Sequence, residues 1–205
     1  MKSIVRYRIQ FLFSLILAVS WLTVVNSAEA HQVLVKTVER REVQVPIKDF
    51  SLRDQSSRPF QFNQLKGIVV VVAFIYTTCP DVCPLITAAL RQVQSGLGVQ
   101  ERKKVFLLAI TTDPEIDSPK ILTDYAKRHS ADLANWAFLT GNETELKKVW
   151  KNFGVGVHRK ARGLVDHTPL AAIVDRLGRM RFVYVGPTPD AKLLLKDARV
   201  LLAER

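Results

Sequence analysis

The sequence predicts an α/β fold with a mixed central sheet, and three observations carry that reading. From Gly67 onward, short apolar runs alternate with longer stretches of helical periodicity. Two of the runs, 68–76 and 105–110, are apolar throughout, as strands covered on both faces are. Two later runs, 170–174 and 179–185, are separated only by Asp175-Arg176-Leu177-Gly178, which reads as a hairpin turn. A hairpin is antiparallel, so the sheet is not wholly parallel.

The elements follow in order. Lys2, Arg6 and Arg8 precede an apolar stretch over 9–25, and Ala28-Glu29-Ala30 follows it. Basic, then apolar, then small is the order of a secretory signal. The stretch is slightly short for a spanning helix and is interrupted by Gln10, Ser14, Ser20 and Thr23. Residues 1–30 are therefore expected to be a signal peptide cut after Ala30 or a membrane anchor. Either places the rest of the chain outside the cytoplasm, in the periplasm or on the periplasmic face of an inner membrane. No cysteine lies near this segment to carry a lipid.

Residues 31–49 alternate weakly at Val33, Val35, Val43 and Val45 and read as an extended lead-in or added strand. A single folded domain is expected over 50–205. It opens with a hairpin, Phe50-Ser51-Leu52 and Phe60-Gln61-Phe62, around a polar turn at 54–59. After the strand 68–76, Leu85, Ile86, Ala89, Leu90 and Val93 give a helix over 84–96, stopped by Gly96 or Gly98. The strand 105–110 follows. Ser118 caps a helix with Pro119 at its first position. The run 136–139 is short, and Asn142 with Glu145 makes a capping box for a helix through Phe153. A last helix is expected over 190–202.

Composition narrows function. Hydrophobic residues make up 48% and charged residues 24%, which excludes a disordered chain. The formal charge is +11, and +9 without Lys2, Arg6, Arg8 and Glu29. The cations are scattered and no aromatic residues interleave with them, so nucleic acid is not expected as a partner. A weak pull toward anionic membranes or acidic proteins is.

Chemistry concentrates in Thr77-Thr78-Cys79-Pro80-Asp81-Val82-Cys83-Pro84, which holds the only two cysteines. A residue before proline avoids the α region, so Cys79 is expected in the turn and Cys83 as the cap of a helix starting at Pro84. A helix N-terminus favours thiolate, which predicts two acidified sulfurs on an exposed loop. Three readings compete. A plain disulfide closes too short a loop to stabilise much. A thiol-disulfide oxidoreductase uses Cys79 as nucleophile and Cys83 as the resolving thiol. A soft-metal site needs a further ligand. Of four histidines, His129 ends a surface helix and His158 sits among Arg159, Lys160 and Arg162. His31 becomes the mature N-terminus if cleavage follows Ala30. His167 precedes the strand 170–174, and reaches the cysteine loop only if that strand runs antiparallel, as an edge pairing would allow.

The run 74–84, Asp113-Pro114, Leu139-Thr140-Gly141, and Asp166-His167 followed by 174–179 together closely resemble the Sco/SenC family. The resemblance extends from about Val45 to the C-terminus. It implies a thioredoxin-like fold, a central mixed sheet flanked by helices with an added N-terminal hairpin. It also implies copper bound by Cys79, Cys83 and His167. The implied role is assembly of the dinuclear copper site of cytochrome c oxidase, by delivering copper, by reducing the site's cysteines, or both. The implied partners are the copper-site subunit of that oxidase and other copper chaperones. Asp166 or Asp113 is a candidate to orient the imidazole, although turn and capping chemistry is the favoured reading of both. The chain departs from the family at Thr168-Pro169, reminiscent of the cis-proline of thioredoxin-like reductases, and a cis bond is expected there.

Overall fold

A computed structural model describes residues 38–160 and 164–204. The signal or anchor segment, His31 and Arg162 lie outside the described residues. Among the described residues no helix is long and apolar enough to cross a membrane.

Strands are β1 (Glu39–Pro46), β2 (Ser51–Asp54), β3 (Pro59–Gln61), β4 (Val69–Ile75), β5 (Val105–Thr111), β6 (Trp136–Thr140), β7 (Val157–Arg159), β8 (Val165–His167), β9 (Leu170–Val174) and β10 (Arg179–Val185). Helices are α1 (Val82–Gly96), the single turn α2 (Val99–Arg102), α3 (Pro119–Arg128), α4 (Glu143–Phe153) and α5 (Ala191–Ala203). Eight strands form one sheet in the order β1-β10-β9-β4-β5-β6-β2-β3, and β7 pairs with β8 in a separate hairpin. β4, β5 and β6 are parallel; β9 is antiparallel to β4, and the flanking strands continue antiparallel. This is the expected thioredoxin-like arrangement, with the hairpin β2–β3 added at one edge.

β4 shows why the apolar runs are unbroken. Val69, Val71, Ala73 and Ile75 enter one core with α1, α3 and α5. Val70, Val72 and Phe74 enter the other, beneath α4 and the aromatic pair Phe50 and Phe62. Each fully buried side chain of this size contributes about 1.5–3 kcal/mol, so no position along β4 tolerates a polar residue. The caps form as expected: Ser118 Oγ accepts from Ile121 N–H, and Asn142 and Glu145 make a reciprocal box.

Three expectations are corrected. β9 is not an edge strand but lies between β10 and β4, because β10 folds back through the Asp175 turn and pairs along its other side. Among the described residues no peptide is cis, so Thr168-Pro169 is trans. Helix α1 starts at Val82 with Asp81 as its cap, not at Pro84. The first four helical amides lack a carbonyl partner inside the helix, so a proline two positions further in loses no bond.

Candidate metal centre

β4 and β9 bring the chemistry together. Ala73 pairs with Ala171 in an antiparallel register, so the start of β9 lies beside the end of β4. The cysteine loop leaves β4 where the segment carrying His167 enters β9. The result is a 3.9 Å separation between Cys83 Sγ and His167 Nε2, across 84 residues of sequence.

The two sulfurs are unequal. Cys79 follows a turn in which its N–H bonds the Tyr76 carbonyl at 3.3 Å. Its sulfur accepts the Cys83 N–H at 3.5 Å, a helix-terminal amide. Hydrogen bonding from the Cys83 thiol, with further help from backbone N–H groups and despite burial, brings the Cys79 thiol down to about 5. The Cys83 thiol moves the opposite way: donating to Cys79 pushes it far up, and burial adds to that. Cys83 is fully buried and Cys79 is 8% exposed. The expected pair of acidified, exposed sulfurs is therefore corrected to one buried thiolate and one buried thiol. The cause is mutual: a single shared proton stays on the sulfur that water cannot reach.

His167 is held by backbone. Its Nδ1 lies 3.1 Å from the Thr168 carbonyl, which can only accept, so Nδ1 carries the proton and the Nε2 lone pair faces Cys83. Burial lowers the imidazole's proton affinity, which keeps it neutral. The ring packs edge-on to Tyr76 at 5.9 Å. Asp166 and Asp113, expected to orient the ring, instead pair with Lys160 at 2.9 Å and with Arg159. Among the described residues neither aspartate bonds the imidazole, so the candidate role fails for both. His129 caps the end of α3 with its ring 4.2 Å from that of Tyr125, and His158 is exposed on β7 opposite Asp166.

Among the described residues no three His, Cys, Asp or Glu side chains already converge as a metal cage. The donors nevertheless suit a soft ion. Metal bonds of about 2.3 Å to sulfur and about 2.0 Å to imidazole, splayed as in a trigonal site, put the two donors about 3.7 Å apart. The observed 3.9 Å is close to that span. The Cys79 sulfur lies on the same loop, within 3.5 Å of the Cys83 amide.

Sequence reasoning missed Asp117. This carboxylate is fully buried and accepts hydrogen bonds from Thr77 N–H at 3.2 Å, Thr77 Oγ at 2.5 Å and Thr111 Oγ at 2.5 Å. Burial raises its proton affinity, and the threonine bonds oppose that. It ties the root of the cysteine loop to the end of β5. Its one signal was Thr77, an uncommonly polar residue directly after a wholly apolar strand.

A family model described as SCO1/SenC matches residues 38–202. The SCO2-like protein RP587 of Rickettsia prowazekii is 29% identical over 145 residues, covering 66% of this chain and 68% of that one. Among solved structures, BsSco, described as a Sco-family cytochrome c oxidase assembly protein with a disulfide switch, superposes with a TM-score of 0.69 at 26% identity. The match covers 80% of this chain and 97% of that one. ScoI of Bradyrhizobium japonicum, solved with copper bound, gives 0.61 at 27% identity over 77% of this chain and 99% of that one.

Proposed function

The chain belongs to the SCO1/SenC family, and on that premise we propose that it is a copper-binding assembly factor for the dinuclear copper site of a respiratory cytochrome c oxidase. Cys79, Cys83 and His167 are its ligands in this reading. The observation that carries it is the 3.9 Å approach of a neutral Nε2 lone pair to Cys83 Sγ. Two sulfurs and one imidazole are soft donors that favour Cu(I). They leave a coordination position open, through which a donor of the copper-site subunit enters before the last bond to this chain breaks. Copper is the cargo, and other copper chaperones are its source. The proposal places this work outside the cytoplasm, where the segment 1–30 delivers or tethers the domain.

The test is copper stoichiometry and affinity of the native chain and of His167→Ala. Binding of one Cu(I) per chain, weakened at least about tenfold in the variant, supports the reading. Equal affinity in the two proteins removes His167 from the ligand set.

A second reading, thiol-disulfide exchange with the client's cysteines, draws on the inequality of the two sulfurs. Cys79, held as thiolate, attacks a client disulfide, and the Cys83 thiol then resolves the mixed disulfide. On this reading His167→Ala keeps exchange while Cys79→Ser abolishes it.

A further inference from the structure

Two buried aspartates sit four residues apart in the connection from β5 to α3, and each fastens a different half of the site. Asp117 holds the cysteine loop through the amide and hydroxyl of Thr77. Asp113, also fully buried, pairs with the Arg159 guanidinium on β7, which reaches Glu115 at 3.2 Å with its other arm. β7 pairs with β8 such that Arg159 faces Val165 and Val157 faces His167. The two aspartates are themselves joined: Asp117 N–H bonds the Asp113 carbonyl at 2.8 Å, and Asp113 N–H bonds Thr111 Oγ at 2.9 Å. That same Thr111 hydroxyl donates to Asp117. Trp150 Nε1–H closes the base on the Thr111 carbonyl at 3.0 Å.

We propose that the 112–118 connection is a yoke, with Asp117 positioning the cysteine loop and Asp113, through Arg159, positioning the histidine hairpin. The inference rests on the metal-site reading above and deepens it: the distance between the halves of the site is set by neither half. Among the described residues the β7–β8 hairpin has no strand partner in the main sheet. Its hold on the domain near the site therefore depends on side chains: buried Val165 packs into the core, Tyr76 packs against the His167 ring, and Arg159, 37% exposed, pairs with the fully buried Asp113 carboxylate. A planar guanidinium bridging two carboxylates fixes direction as well as distance. Asp117 makes the equivalent hold on the other side with hydrogen bonds alone.

The yoke predicts separable effects. Arg159→Met frees the hairpin and leaves the cysteine loop in place. In the metal-free protein, exchange of the Thr168 amide (bonded to the Gly156 carbonyl) and the Lys160 amide (bonded to the Leu164 carbonyl) accelerates at least about tenfold. Exchange in β4 and β5 stays unchanged. Copper affinity falls about tenfold, yet the same substitution on a His167→Ala background costs nothing further, because the ligand it positions is gone. A merely structural residue gives additive losses. Thr77→Val does the converse, shifting the equilibrium with glutathione at least about threefold while the hairpin amides hold. In that equilibrium one glutathione disulfide takes two electrons from the Cys79–Cys83 pair, with the one proton the pair holds and one from solvent, giving the protein disulfide and two glutathione thiols.

Unchanged hairpin exchange in Arg159→Met, or an equal affinity loss on both backgrounds, overturns the yoke. Should that variant not fold, Arg159→Lys replaces it. It keeps the charge without the fork, and is expected to show about a threefold effect of the same pattern; no effect overturns the proposal. Failure of the native chain to bind copper overturns the proposed function instead, and hairpin exchange then decides the yoke alone.

Discussion

Replacing Cys83 with alanine removes the group most responsible for the acidity of Cys79. A hydrogen bond to a charged acceptor contributes about 1.5–3 kcal/mol, and one pH unit corresponds to about 1.4 kcal/mol. The Cys79 thiol is therefore expected to rise from about 5 by about one to two pH units in Cys83→Ala. The amides of Asp81 and residue 83 and the Tyr76 hydroxyl remain, so it does not return to 9.0. The assay is the pH dependence of alkylation of the reduced, metal-free protein by a small neutral reagent, which the 8% exposure of Cys79 admits. The linked stability has a definite sign. A thiol depressed from 9.0 to about 5 on folding stabilises the folded state fully above about pH 9, and that contribution is lost as pH falls through about 5. A native alkylation midpoint near the ordinary thiol value, or a midpoint unmoved by Cys83→Ala, refutes the account of the unequal sulfurs.

Further expectations concern the scaffold. Asp117→Ala strands three donors from Thr77 and Thr111, and urea denaturation is expected to show a loss of about 2–4 kcal/mol. A loss below about 0.5 kcal/mol contradicts the buried network. Gly186 has φ +147°, and an added Cβ meets Val38 Cα at 2.9 Å. Gly186→Ala is expected to cost about 1–3 kcal/mol and to raise amide exchange in β1 before that in β4. Asn142→Ala removes the α4 cap, and thermal or urea unfolding should report about 1 kcal/mol.

Legibility in the sequence followed the range of the interaction concerned. The unbroken run of β4 and the boxes at Ser118 and Asn142 were readable because burial on two faces and capping act on neighbouring residues. The Asp175 turn was readable for the same reason, since its carboxylate bonds amides two and four residues on. The start of α1 was misplaced because the rule for residues before proline describes a free chain, and here Cys83 is fixed by its sulfur contacts with Cys79 and His167. What orients His167 was not legible, because its partner is a backbone carbonyl, which every residue carries and no pattern reveals.

Residue identities alone determined that two soft donors lie four positions apart behind a buried strand, while the choice of His167 among four histidines came from the resemblance to the Sco/SenC family. Those facts are local, and the chemistry of side chains carries them. Tertiary structure decided that β9 runs antiparallel inside the sheet, so that an 84-residue gap closes to 3.9 Å. It also decided which sulfur keeps the proton. Both depend on what surrounds a group after folding, because pairing direction and dielectric environment belong to the assembled sheet and not to any stretch of chain.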